Sequence, residues 1–198
     1  MLYFYSPSAY SFIHKLSHFY LPSPNYIKTF GQNCQLSSSG IEKTHELYLK
    51  ERCEGLTKDE KVINLLIDEI HVKSKFSYKG GRVQGMADNS EEMHATTVQA
   101  FMISSIRKQH EDVVALYPVK NLTANDLHKY IQIIIKTLQK IGYVVLTILS
   151  DNNRINRKMF ESLSPSKLTE SIPNPIIECS KIFLLFDSVH LLKCIRNN

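Results

Sequence analysis

Val62-Ile63-Asn64-Leu65-Leu66-Ile67-Asp68 and Tyr143-Val144-Val145-Leu146-Thr147-Ile148-Leu149-Ser150-Asp151 decide the fold. Each is an apolar, largely branched run of strand length that closes on an aspartate. A third run, Ile182–Phe186, closes on Asp187 in the same way. Strands that are apolar along their whole length, rather than alternating, are buried on both faces, as in the sheet of an α/β protein.

The segments between these runs supply the helices. Thr123 starts one, with Asp126 three residues on in capping-box position. Leu127, Ile131, Ile134, Leu138 and Ile141 give it one apolar face, and Gly142 ends it. A second helix is expected over Arg154–Leu163, then a polar, proline-bearing loop over Ser164–Pro175, and a last helix from about Val189. On the N-terminal side, Tyr78-Lys79-Gly80-Gly81-Arg82 is a turn signal, and Arg82–Ala87 returns as a short strand. Val98–Ile106 and Val113–Val119 are further strands. Hairpin-linked strands come first, followed by helix, strand, helix, strand and helix. That is the order of an RNase H-like fold: a mixed sheet with flanking helices. A Rossmann fold would alternate from the start and carry a glycine-rich phosphate loop. Neither GxGxxG nor GxxxxGK[ST] occurs.

Residues 1–30 read as a small helical segment ahead of this core. Ser8 is placed to cap a helix through about Ser17 carrying Phe12, Ile13 and Leu16. Leu21-Pro22-Ser23-Pro24 breaks it, and a short second helix follows with Tyr26, Ile27 and Phe30. The outline is that of a helix-turn-helix, and equally that of a plain helical hairpin. Residues 31–61 are polar, with Ser37-Ser38-Ser39-Gly40 at their centre, and read as a linker holding one helix near Glu42–Arg52. The core then runs over 62–198.

The 198 residues suffice for one full domain and a small extra one. A net charge of +5 is compatible with a polyanionic partner, and equally with a solvated basic surface. Cys34, Cys53, Cys179 and Cys194 form no CxxC pair, and no histidine stands at zinc-finger spacing to any two of them, so neither a zinc site nor a disulfide framework is expected. No apolar run approaches the ~18 residues of a membrane helix, so a soluble, intracellular protein is expected. No GxSxG or Cys/His nucleophile signature is present.

Ligands of α/β sheets gather outside the carboxyl ends of the strands. If the strands ending at Asp68 and Asp151 are neighbours, their carboxylates face one another. Mg²⁺ takes a few carboxylate oxygens and keeps water. Two such ions about 4 Å apart serve phosphodiester chemistry. Against this, Asp151-Asn152-Asn153 is also ordinary helix-capping sequence, and Asp68-Glu69 an ordinary exposed strand end. Asp187 and His190, three residues apart at a helix start, are placed to orient one another, or to be a plain cap and a core histidine. Lys193 and Arg196 follow at helical spacing, suited to phosphates or to the last turn of a helix.

Four motifs in order resemble P-element-type (THAP-family) DNA transposases. Leu66–Ile70 with Phe76–Gly81 resembles the first catalytic segment. Ser150–Arg157 resembles the second. Phe186–Asn198 is similar to the segment at the end of the fifth core strand, and Ser6–Tyr10 with Leu21–Pro24 to the helix-turn-helix that precedes the core. The resemblance implies an RNase H-like domain that uses a D-D-E triad with Mg²⁺ or Mn²⁺ to cut DNA and join it to a target. It implies Asp68 and Asp151 as metal ligands, and Asp187 and His190 as the supporting (C/D)xxH element. Transposon ends and target DNA are the implied partners, with full-length transposase or a second copy beside them, and the nucleus the implied compartment. In this family a GTP-binding insertion follows the (C/D)xxH element, and the catalytic glutamate lies beyond it. The sequence ends at Asn198, where that insertion would begin, and neither Glu161 nor Glu178 matches the third triad position. GTP binding is therefore not expected, nor strand transfer by this chain alone. The alternative is a non-catalytic module that binds DNA or another transposase.

Overall fold

The computed structural model describes residues 3, 6–16, 20–27, 40–79, 82–164 and 168–197. It divides into two compact units, Met1–Gln35 and Leu36–Asn198.

In the first unit, α1 spans Pro7–Lys15. Its cap is Ser6 rather than the expected Ser8, and the Ser6 hydroxyl accepts from the Ala9 amide at 3.3 Å. Pro7 explains the shift: its fixed φ and missing N–H suit the first helical position. Tyr10 is buried, donates its hydroxyl to the Pro22 carbonyl at 2.7 Å, and meets Tyr3 edge to face. Helical backbone resumes over 24–27, capped by Ser23. The expected continuation to Phe30 lies outside the described residues.

The second unit begins with α2, Lys43–Glu54. This is the helix expected in a linker, and here it belongs to the core. Leu49 and Cys53, four residues apart, are fully buried in it. Polar contacts hold the rest of the helix down. His45 Nε2 donates to the Val113 carbonyl at 2.8 Å, and Arg52 pairs with Asp112 at 2.8 Å. Only Leu49 and Cys53 are buried, while Leu47 and Tyr48 on the same helix are exposed, so the apolar residues give little periodic signal and the sequence resembles a solvated linker.

Six strands form the main sheet in the order β7-β6-β1-β8-β10-β9. They are β1 (Val62–His71), β6 (Thr97–Ser105), β7 (Glu111–Val119), β8 (Val144–Ser150), β9 (Ser171–Pro173) and β10 (Lys181–Phe186). Strands β1, β8 and β10 run parallel; β6, β7 and β9 pair antiparallel with their neighbours. The expected mixed sheet is thus present. Two hairpins, β2 (Ser77–Lys79) with β3 (Arg82–Gln84) and β4 (Met86–Ala87) with β5 (Ser90–His94), lie between β1 and β6. The single strand expected over Arg82–Ala87 is interrupted at Gly85, whose φ of +103° ends β3. The expected loop over 164–175 also yields a three-residue edge strand, β9.

One face of the sheet carries the core. The helix α3 (Ala124–Ile141) buries Leu127, Ile131, Ile134, Ile135 and Leu138 against Ile63, Leu65, Phe101, Ile103 and Ile148. At about 1.5–3 kcal/mol each, those five side chains contribute gross burial of roughly 7–15 kcal/mol. The helix starts at a two-way capping box between Thr123 and Asp126 and ends at Gly142 in the left-handed region. Helix α4 (Arg154–Leu163) packs beside it with Met159 and Phe160 fully buried. The opposite face is more open: Phe183 and Leu185 are exposed there, and Leu66, Met102 and Leu149 half-buried. A last helix, α5, spans Ser188–Asn197. Among the described residues no helix is long and apolar enough to cross a membrane.

Candidate active site

The sheet register places the expected site residues. Ile67 of β1 pairs with Ser150 of β8, and Ser150 with Phe186 of β10. The next residues, Asp68, Asp151 and Asp187, therefore stand level where the parallel pairing of the three adjacent strands ends. Asp151 and Asp187 follow the last residues of β8 and β10, but β1 does not close on Asp68 as expected and runs on to His71, held by its antiparallel pairing with β6. The ladder continues one step further, because the Asp187 amide donates to the Ser150 carbonyl at 2.8 Å.

This alignment depends on one irregularity. Val62 and Ile63 pair with Val144 and Val145, but Asn64 pairs with Thr147, so Leu146 is an extra residue in β8. Without it Asp68 would stand level with Ser150, and its side chain would share a face with the wrong neighbour. The bulge sets the two aspartates in step. Below the aspartates, Thr147 donates to Asn64 Oδ1 at 2.8 Å, tying the same two strands together.

Asp68, Asp151, Asp187 and His190 line one cleft of about 160 Å³, floored by Leu66, Met102 and Leu149. The fold fixes each carboxylate differently. Asp68 is exposed, and its Oδ1 accepts from the Glu69 amide at 2.8 Å. Gln99 of β6, almost fully buried, donates to the Asp68 carbonyl at 2.7 Å and anchors the backbone there. Asp151 is half-buried. Asn156, buried on the first turn of α4, donates its amide to Asp151 Oδ1 and, at 3.3 Å, to the Asp151 carbonyl. Asn153 caps the same helix by accepting from the Asn156 amide at 2.8 Å. The DNN segment is thus both a strand end and a helix cap, and the two roles are compatible.

The matching family model is that of the TNP-like RNase H N-terminal domain, over residues 37–164. The chain belongs to this family. It is 24% identical over 192 residues to the Transposable element P transposase of Drosophila melanogaster, covering 97% of this chain and 24% of that protein. It thus spans about a quarter of the length of the curated relative it matches. The solved Drosophila P element transposase strand transfer complex superposes with a TM-score of 0.75 at 23% identity, covering 99% of this chain and 41% of that one. The fold is therefore the RNase H-like one of the P element transposase family.

Within this transposase-related core, Asp187 and His190 lie close but do not hydrogen-bond. His190 Nε2 is 4.0 Å from Asp187 Oδ2, and both side chains are well exposed. Asp187 Oδ1 instead accepts from the Val189 amide at 2.8 Å, so it caps the start of α5. Lys193 and Arg196 lie on exposed positions of α5.

The donor set suits a hard divalent ion. The Oδ2 atoms of Asp68 and Asp151 accept no hydrogen bond from the described residues, and both belong to oxygen-only ligands. Among the described residues no group of three or more His, Cys, Asp or Glu side chains is arranged to hold a metal. Mg²⁺ is commonly held by one or two carboxylates plus substrate phosphates, so two suffice for a weak site.

Sequence reading missed Asn156 and Gln99. Each carries a signal: a polar side chain at a position its neighbours mark as core, Asn156 beside Ile155 on the Met159–Phe160 face and Gln99 inside an apolar strand. Buried polar groups have partners, and these two have the backbone and side chain of the candidate ligands.

Proposed function

We propose that this chain forms the metal-binding part of a DNA-cutting and DNA-joining core, with Asp68 and Asp151 as the ligands of Mg²⁺ or Mn²⁺. The observation that carries the reading is the level placement of these two carboxylates on adjacent parallel strands, reached only through the bulge at Leu146. Bound divalent metal supplies activation of a water or 3′-hydroxyl and charge stabilisation at the leaving oxygen. The chain's own residues do the rest. Asp68 and Asp151 hold the ion, Asn156 orients the Asp151 carboxylate, and Gln99 fixes the backbone of Asp68. Asp187 and His190 edge the same cleft, and a phosphodiester held there would border them. DNA is the substrate and, with chromosomal DNA as target, the nucleus the compartment.

The test is metal binding by the purified chain. Asp68→Asn and Asp151→Asn should each lower Mn²⁺ affinity at least tenfold, read by calorimetry or by the paramagnetic signal of free Mn²⁺. Unchanged affinity in both variants overturns the assignment. A second reading, DNA binding without cleavage, is favoured by the lack of a third metal-ligating side chain among the described residues. Under that reading the chain retains DNA in EDTA and never nicks it with Mg²⁺.

A further inference from the structure

The segment joining β1 to the second hairpin carries charge that the cleft does not use. Lys73-Ser74-Lys75-Phe76-Ser77-Tyr78-Lys79-Gly80-Gly81-Arg82 holds four basic residues and no acidic one, and the next carboxylate along the chain is Asp88. The segment leaves the body just beyond His71, the last residue of β1, which is three positions past Asp68. It therefore departs from the same end of the sheet as the candidate ligands.

Its root is fixed. The Val72 amide donates to the Thr96 carbonyl at 3.0 Å, and the Ala95 amide to the Gly85 carbonyl at 2.8 Å. The Phe76 ring stacks on His94 with centroids 3.7 Å apart. Gly85 takes a φ of +103°, and a Cβ there would lie 2.2 Å from the Lys75 carbonyl oxygen, so the two arms of the segment cross in backbone contact. Beyond this neck the β2–β3 ribbon pairs, among the described residues, only with itself. A lone two-stranded ribbon is marginal in water, so the neck supplies the support that holds it out. Tyr78 on the ribbon is 76% exposed. Lys73 and Lys75 are exposed as well and pair with no carboxylate among the described residues.

We propose that this ribbon is a DNA contact that holds the strand to be processed at the Asp68 end of the cleft. Lys73 and Lys75 neutralise backbone phosphates, and Tyr78 stacks on an unpaired base. The chemistry fits that ligand on two counts. A segment with basic residues and no acidic one matches a chain of phosphates, which is read without sequence preference. An exposed aromatic between cations provides the stacking surface used for single-stranded nucleic acid, because every base offers a π face. The inference rests on the reading of the cleft as a DNA-processing site, and its test separates the two.

The experiment measures binding of the whole chain to a fluorescent DNA duplex with a 3′ single-stranded tail, by anisotropy in EDTA over a range of salt. The Lys73→Ala/Lys75→Ala variant should weaken binding and flatten the plot of log affinity against log salt by about 1.4–1.8, the loss of two phosphate contacts. Tyr78→Ala should weaken binding to the tailed duplex about fivefold or more, and affect blunt duplex less. Lys129→Ala/Lys136→Ala, on exposed positions of α3, is the control and should change little. All three variants replace exposed side chains, and thermal melting checks that each is folded. Hairpin variants that bind like wild type, or no better distinguished than the α3 control, overturn the inference. A chain that binds Mn²⁺ through Asp68 and Asp151 but no DNA overturns it too, and leaves the cleft reading standing. Ribbon-dependent DNA binding with no Asp68-dependent metal binding supports the ribbon and overturns the cleft.

Discussion

Asn156→Ala tests whether the Asp151 carboxylate is held in place for a ligand. The Asn156 side chain is 6% exposed and donates twice to Asp151, once to the carbonyl and once to Oδ1. A hydrogen bond to a charged group contributes about 1.5–3 kcal/mol. Asp151 is half-buried, so water replaces part of what the amide supplied, and the lower end, about 1.5 kcal/mol, is expected. At roughly 2–4 °C per kcal/mol for a unit of this size, the melting temperature should fall by about 3–6 °C. A purely structural residue would stop there. A positioning residue should also lower Mn²⁺ affinity about tenfold or more, the usual cost of removing a partner of a ligand. Calorimetry at a temperature well below the melting of the variant reads the second effect apart from the first. A folded Asn156→Ala protein with Mn²⁺ affinity within twofold of wild type refutes the reasoning.

Two further predictions concern the scaffold. At Gly142, φ is +117° and an added Cβ would make only an ordinary 3.5 Å contact with Cys53 Sγ, so Gly142→Ala should cost backbone strain alone, about 1–2 kcal/mol. A lower urea midpoint with an unchanged slope checks it, and an unchanged midpoint contradicts it. His110 is buried, and that burial holds its imidazole below the ordinary value near about 6.5, with Asp112 opposing the shift and Arg52 and Lys108 adding to it. Arg52 donates to His110 Nδ1 at 3.0 Å, which requires the neutral ring. A depressed folded pKa means the contribution is complete above the unfolded value and is lost as pH falls through the folded one. Melting temperature should therefore drop between pH 7 and pH 5, with a shallower drop in His110→Gln; equal slopes would contradict this.

The parts of the fold legible in the sequence are those where one local signal suffices. The runs leading to Asp68, Asp151 and Asp187 are strands because they are rich in branched apolar residues and broken only at Asn64 and Thr147, and Thr123, Asp126 and Gly142 mark both ends of α3 with chemistry that has few other uses. The parts that were not legible depend on partners distant in sequence. Ser90–His94 is polar and becomes β5 only because Met86 and Ala87 fold back on it. Ser171–Pro173 is a strand because Lys181–Phe183 lies beside it. Helix α2 has two apolar anchors and owes its place to Val113 and Asp112, more than fifty residues away. The site divides the same way. That Asp151 follows a strand end is local information, whereas β1 runs on past Asp68 to His71 because β6 lies beside it. That they stand level is a property of the bulge at Leu146, which no residue in that apolar run announces.

The central claim is most directly tested by anomalous diffraction from crystals of this chain grown with Mn²⁺. An anomalous peak is expected within ligand distance of the Asp68 and Asp151 carboxylates, about 2.0–2.3 Å, and should vanish in Asp151→Asn. An empty cleft at millimolar Mn²⁺, or a peak held by other side chains while these two carboxylates remain free, would contradict it.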